Sequence, residues 1–448
     1  METTLQTKPD RLLSLDVFRG LTIAGMVLVN NPGTWSAIYS PLKHAEWNGI
    51  TPTDYIFPFF LFIVGVAIPL SLSAKSQTED RRTLYSRILT RSVAIFLSGI
   101  AISVIPLFVI GETSIHWMPK WIAALSMVAA LFFLYLRSYR IAAALVAVWG
   151  IIIIVSYAAG AVITWYNPAT VRIPGVLQRI AVCYLFASVI FVNFDFRSKA
   201  AIIGAILIGY WILMTVVPVP GCETWSIDDK ACNLAAWLDR AVLTEAHIWR
   251  SSRVFDPEGI LSTLPALATT LFGVMTGEWL LSNRGSSDSA ESVSSREAKL
   301  NHLCGLFFAG TVLLAVGWGW SLWFPLNKSL WTSSYSVYTA GLALLTLAVC
   351  HYIVDFKGFK TWAKPLVIFG VNALALFVFS GIMARLLGII KVAGAEGKEV
   401  SLQQWIFTNI FLPFASPVNA SLAYAISFLG VWLGLMWLLY RQRIFLKV

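Results

Sequence analysis

The chain has 448 residues, of which 58% are hydrophobic and only 12% charged, against about 25% charged in a typical soluble domain. That composition excludes an ordinary soluble protein. Apolar runs of about 20 residues, enough to cross about 30 Å of hydrocarbon, recur along it and predict an all-α polytopic membrane bundle of about 11–12 transmembrane helices. The net charge of +10 follows from Lys and Arg gathered in cytoplasmic loops, so no nucleic-acid partner is inferred. The 19 Trp and 14 Tyr fit interface belts before any ligand site.

In chain order, basic residues lead into a long first span that contains Asp16 and Arg19. No small-residue cleavage site follows a short apolar core, so no cleaved signal is expected. The predicted spans are 13–31, 54–73, 92–110, 119–136, 141–164, 175–193, 200–217, 259–281, 302–323, 332–354, 365–388 and 418–440. Positive charges at 8–11, 75–91, 137–140, 197–199, 284–299, 357–364 and 441–447 then share one side. The positive-inside rule places both termini in the cytoplasm and the loop after the first span outside. The Ser-rich, aperiodic stretch 282–301 reads as a flexible cytoplasmic linker between parts 1–281 and 302–448 of one membrane domain. No internal repeat supports an inverted-repeat transporter. Val216–Asp256 is the longest outer loop, and Lys391–Pro417 is expected along the outer interface.

The five cysteines are too few for a scaffold. Cys183, Cys304 and Cys350 lie in apolar runs as packing residues. Cys222 and Cys232 flank a polar loop and would pair if it is extracytoplasmic; two free thiols are the alternative. No cysteine or histidine spacing argues for a metal.

Ionisable residues within spans cost about 2.5–3.5 kcal/mol each and need a partner or a use. Asp16 and Arg19 are three apart near the inner end of span one, which suits an interfacial ion pair or a donor site. Asn30 ends that span. His44 follows in Lys43-His44-Ala45-Glu46-Trp47-Asn48-Gly49, and Thr51-Pro52-Thr53-Asp54 opens span two. Asp54 suits a helix cap without chemistry, or it fixes the tautomer of His44. With an unperturbed pKa of about 6.5, a histidine offers a neutral base near pH 7. Three further runs put polar residues on the same outer side. They are Arg172 to Ile180 with Gln178 and Arg179, Phe255 to Thr263 with Asp256 and Glu258, and Pro325 to Thr332 with Asn327 and Lys328. Each reads equally as a helix cap or turn. Asn372, after Gly370, is a weaker candidate.

The string SLDVFRG at 14–20, Val29-Asn30, and KHAEWNGITPTDYIFPFFLFIVG from Lys43 resemble the catalytic region of the heparan-α-glucosaminide N-acetyltransferase family and its bacterial transmembrane acyltransferase relatives. The three later runs resemble the same family, so the likeness covers most of the chain from residue 11 onward. The family's lysosomal enzyme has an additional luminal N-terminal domain with no counterpart in this sequence. The resemblance implies an enzyme of the inner (cell) membrane of a bacterium that moves acetyl from cytosolic acetyl-CoA to an amino sugar outside. His44 would act as base or acetyl carrier with Asp54 beside it, and Asn30, or a helix N-terminal amide, would steady the developing oxyanion. Trp47, Asn48, Arg172, Gln178, Arg179, Asp256, Glu258, Asn327 and Lys328 would hold the acceptor. Asp16, Arg19, Arg81, Arg82, Arg87 and Arg91 would hold the acetyl-CoA nucleotide. The implied partners are acetyl-CoA, a glucosamine-type or oligosaccharide acceptor and the bilayer, with homo-oligomerisation left open. The competing reading is an amino-sugar or N-acetylglucosamine transporter without acyl transfer; binding of acetyl-CoA separates the two.

Overall fold

The structure is a computed structural model that describes residues 12–282, 293–394 and 398–446. Lys8, Arg11, Arg284, Lys447 and most of the predicted linker lie outside the described residues, as do the side chains of Arg296 and Lys299. Each predicted span is occupied by helix. In order these are α1 (Leu13–Asn30), α2 (Ile56–Thr78), α3 (Arg81–Val104), α4 (Trp117–Tyr135), α5 (Tyr139–Ala158), α6 (Val176–Asn193) and α7 (Phe196–Val216). After a short α8 (Leu234–Leu243) come α9 (Thr263–Ser282), α10 (Val293–Trp320) and α11 (Ser333–Cys350). The chain finishes with α12 (Lys364–Val371), α13 (Ala373–Ile389), a hairpin of β1 (Lys391–Ala393) and β2 (Glu399–Ser401), α14 (Leu402–Ile406) and α15 (Pro417–Arg441). Among the described residues, 11 helices are long and apolar enough to cross a membrane, or 12 spans if α12 and α13 count as one bent pair.

Four elements depart from expectation for local reasons. Helix α3 starts at Arg81 rather than 92, because Asp80 caps it by accepting from the Thr83 N–H at 3.1 Å. It stops before Pro106, which cannot donate to the Ile102 carbonyl; Arg385 of α13 donates there instead at 2.9 Å, and to the Ile105 carbonyl at 3.2 Å. The span predicted at 365–388 is broken at Asn372 and bends by 80°. The Asn372 amide secures the break by donating to the Ile444 carbonyl at 3.1 Å and accepting from the Leu446 N–H at 2.9 Å. Helix α10 begins at Val293, inside the predicted linker. The long loop 216–256, predicted to lie outside, contains α8, whose cap Asn233 accepts from the Ala236 N–H at 2.9 Å, and Cys222 is disulfide-bonded to Cys232. Cys183 and Cys350 are buried as expected, whereas Cys304 is exposed.

Helices α2 and α9 are among the most buried spans, while α4 and α5 pack on each other at the periphery. Glycines set the closest crossings. A Cβ on Gly65 would collide with the Thr270 carbonyl, and one on Gly273 with the Phe62 carbonyl. Small residues of this kind let helix backbones approach in a membrane, where apolar burial between helices drives little. Gly65→Ala should therefore push α2 from α9 and destabilise the bundle by about 1–3 kcal/mol. Thermal unfolding in detergent checks this, and an unchanged Tm contradicts it.

Candidate functional site

Two features occupy opposite ends of the bundle. At one end the loop after α1 returns into α2 through a tight turn, Pro52–Tyr55. Thr51 and Asp54 form a capping box there. One Asp54 oxygen, Oδ2, accepts from the Thr51 N–H at 2.9 Å, the Thr51 hydroxyl at 3.0 Å and the Ala45 N–H at 3.1 Å. The other, Oδ1, lies 2.6 Å from Nδ1 of His44. An ionised carboxylate only accepts, so Nδ1 carries a proton, and in the neutral ring Nε2 is the nitrogen with the lone pair. Asp54 is 1% exposed and the His44 side chain 46% exposed, so a buried acid orients an accessible imidazole. From α11, the buried Tyr335 hydroxyl donates to the Asp54 carbonyl at 2.6 Å and fixes the turn.

Lys328 Nζ stands 3.1 Å from both ring nitrogens of His44. An atom equidistant from the two cannot lie along either lone pair, so Nε2 remains available in the ring plane. Burial lowers the Lys328 pKa below the ordinary lysine value, with Glu258 and Asp54 opposing.

The other predicted outer residues divide. Trp47 donates from its indole to the Ile227 carbonyl at 2.9 Å and packs on Phe255 at 5.0 Å. Asn48 donates to Asp228 at 2.5 Å and accepts from Asn327 at 3.1 Å. These three side chains tie the His44 loop to the segments at 227–228 and 325–332. Arg172 donates to Asp256 at 2.9 and 2.6 Å and to Glu258 at 2.5 Å. Burial works against its charge, but Asp256 and Glu258 outweigh that and raise its pKa above the usual guanidinium value. Burial likewise opposes ionised Glu258, and Arg172, Arg179 and Lys328 overcome it, so its pKa is lowered.

Two expectations are corrected. Asn30 ends α1 with an exposed side chain and makes no bond to His44 among the described residues; its neighbour Asn31 is buried and donates to the Val27 carbonyl at 2.7 Å. Gln178 is packed against Gly99 of α3 and Gly175, with no contact to the His44 cluster among the described residues. Sequence reasoning missed Tyr335, which comes from a distant helix. It also missed buried Asp239, which accepts from the Ile260 N–H at 2.8 Å and the Asp256 N–H at 3.3 Å and so shapes the loop bearing Glu258. Burial pushes the Asp239 carboxyl up to about 6. The one local signal was Thr51-x-x-Asp54, a capping-box spacing.

At the other end a cavity of about 1200 Å³ opens between α2, α3, α6 and the α12–α13 break. Its cations are Arg19, Lys75, Arg82, Arg87, Arg91 and Arg137. The α2 lining residues Phe60, Ile63, Val64, Ala67, Ile68, Ser71 and Lys75, with Glu79 just past the helix end, recur at the three- and four-residue spacing of one helix face. Arg82, Ser86, Arg87, Thr90, Arg91 and Ala94 do the same on α3. Arg81 falls off that stripe and does not line the cavity, and Asp16 is buried behind it, 3.2 Å from Arg19. Lys75 and Arg137 were not predicted here. Arg87 also meets Glu79 at 2.6 Å.

The family profile described as "Heparan-alpha-glucosaminide N-acetyltransferase, catalytic" matches residues 11–171. That range includes α1, the His44–Asp54 pair and the arginine stripe of α3. A Homo sapiens protein named heparan-alpha-glucosaminide N-acetyltransferase is 27% identical over 492 aligned positions, which cover 99% of this chain and 61% of that protein. The chain resembles this family from end to end. The Mus musculus protein of the same name is 24% identical over 487 positions, covering 99% and 62% respectively. The chain thus spans about three fifths of the length of these heparan-alpha-glucosaminide N-acetyltransferases.

Proposed function

We propose that the protein is a transmembrane N-acetyltransferase. Acetyl-CoA, the acyl donor, binds in the arginine-lined cavity from the cytosol, and the acetyl group passes to the amine of a glucosamine-type acceptor at His44 on the opposite side. Both termini are cytoplasmic in this reading. It is supported by the Lys and Arg asymmetry and by the Cys222–Cys232 disulfide at the His44 end, a bond that persists in oxidising compartments.

The observation that carries the reading is the length of the cavity. Its α2 lining runs from Glu79 to Phe60, which at ~1.5 Å per residue is ~28 Å of helix, nearly the full hydrocarbon thickness. Asp54 lies only ~9 Å further along the same axis. A nucleotide held at the arginine mouth thus has room to send its pantetheine arm along most of the bundle toward His44. There the Nε2 lone pair takes a proton from the sugar ammonium. The freed amine forms the C–N bond and loses a second proton, which passes to the sulfur as the thioester C–S bond breaks and CoA leaves as the thiol. Asp54 balances the imidazolium that forms.

The cations at the mouth make a direct test. Each charged hydrogen bond to phosphate is worth about 1.5–3 kcal/mol, so Arg82→Gln and Arg91→Gln should each weaken acetyl-CoA binding about tenfold or more. Calorimetry on purified protein measures this. Undiminished binding removes the cavity from the donor site. A wild-type protein that binds no acetyl-CoA yet moves amino sugar across a bilayer is a transporter instead.

A further inference from the structure

Cations enclosed in this bundle are matched almost throughout. Lys199 is paired with Glu278, Arg385 with two carbonyls, and Arg172 with Asp256 and Glu258. Among the described residues Arg179 stands apart. It is 2% exposed, and its NH2 group donates to the Gly259 carbonyl at 3.1 Å and to the Ser262 hydroxyl. Its Nε and NH1 atoms are buried with no hydrogen-bond partner. The nearby acids offset part of its charge but give Nε and NH1 no hydrogen bond, because Asp256 and Glu258 are bonded to the more exposed Arg172 and Asp239 to backbone N–H groups. A buried guanidinium with two donor nitrogens unspent is costly in this setting and calls for a ligand group.

Its position says which group. Arg179 does not itself line the cavity, but Ile180 and Tyr184 of the same helix do, so the residue lies at the depth of the cavity's inner lining. The guanidinium lies 5.1 Å from the Trp331 ring centre. Trp331 packs on Phe57 at 5.0 Å, one turn above the cavity residue Phe60, and on Tyr335 at 5.3 Å, whose hydroxyl holds the Asp54 turn. Arg179 therefore stands between the end of the cavity and the His44 turn. Trp331 itself has φ 50°, a conformation uncommon for a bulky residue, and it is held there. Asn327 accepts from the Leu330 N–H at 2.9 Å and Thr332 from the Asn327 N–H at 3.1 Å. Strain of this kind persists where the surroundings over-determine it.

We infer that Arg179, rather than holding the acceptor, donates from Nε and NH1 to the acetyl carbonyl oxygen of the bound thioester and stabilises the oxyanion that forms when the amine attacks. This rests on the acetyltransferase reading. Donors aimed at developing negative charge in a water-poor site act mostly on the transition state. Removing them therefore lowers kcat and leaves donor binding alone. A sugar-borne acid would approach from the exposed face of His44, away from the cavity end.

The test compares wild type, Arg179→Gln, Arg179→Lys and Arg179→Ala in detergent, with acetyl-CoA as donor and glucosamine, or a sulfated or carboxylated glucosamine, as acceptor. For Arg179→Gln we expect kcat to fall about 10²–10³-fold, with acetyl-CoA Kd unchanged and Tm unchanged or raised, since an unpaired buried charge has gone. Arg179→Lys should fold like wild type and recover part of the rate, and added guanidinium should restore part of the activity of Arg179→Ala. Near-wild-type kcat in Arg179→Gln overturns the inference. So does a defect seen only as a raised KM for sulfated or carboxylated acceptors, or losses in every variant that follow Tm without rescue. Failure of wild type itself to transfer acetyl overturns the underlying reading as well, and is distinguishable because it precedes any variant.

Discussion

Replacing His44 with alanine is expected to lower acetyl transfer to glucosamine by about 10²–10⁴-fold, the usual contribution of a positioned acid–base group. The fold should survive. The His44 side chain is 46% exposed and packs in no apolar core, so its removal opens no cavity. Acetyl-CoA binding should also persist, because the cavity cations lie at the far end of α2. His44→Asn is the sharper probe, since it keeps a polar side chain that can bond Asp54 yet can neither take a proton near pH 7 nor carry acetyl. Transfer and binding are measured on the same purified samples. A folded variant with near-wild-type transfer removes His44 from the chemistry.

Asp54→Asn should cost nearly as much for a different reason. Three donors converge on Asp54 Oδ2, the Thr51 N–H, the Thr51 hydroxyl and the Ala45 N–H. An asparagine can keep them only by turning its oxygen toward them, which points its NH₂ at His44 Nδ1. The imidazole must then accept at Nδ1 and place its proton on Nε2, the wrong tautomer for a base. The corresponding Asp-to-Asn change in serine-protease triads lowers kcat about 10⁴-fold with the geometry intact, so a loss of about 10²–10⁴-fold is expected here. The helix cap is retained, so Tm should hardly move. Asp54→Ala should lose the cap too, at about 1 kcal/mol. Transfer by Asp54→Asn within tenfold of wild type contradicts this arrangement.

Comparison of sequence and structure shows which signals carry information in a membrane chain. Apolar runs located nearly every span, with α1 and α6 placed to within about a residue of prediction. The first turns of α3 were read as loop because hydropathy counts Arg81, Arg82, Arg87 and Arg91 against a helix. An Asp80 cap and an arginine face toward a cavity make them one. The break at Asn372 left no mark in the apolar pattern, since the bonds that hold it run to Ile444 and Leu446, far along the chain.

The candidate site follows the same logic. His44 and Asp54 are ten positions apart across one turn, so their meeting was legible from local sequence. Tyr335 reaches that turn from a distant helix with no local pattern to announce it. Asn30 beside Asn31, Gln178 beside Arg179 and Arg81 beside Arg82 differ by one position, and neighbours on a helix do not face the same way. Polar character was readable at all three places, but direction was not.

In the proposed reaction acetyl crosses the bilayer while CoA does not. Wild-type protein in sealed liposomes, with glucosamine trapped in the lumen and acetyl-labelled acetyl-CoA added only outside, tests this most directly. The predicted result is labelled N-acetylglucosamine inside the vesicles, absent in His44→Asn. Label appearing only when both substrates share one side, or glucosamine leaving the lumen unacetylated, would contradict it.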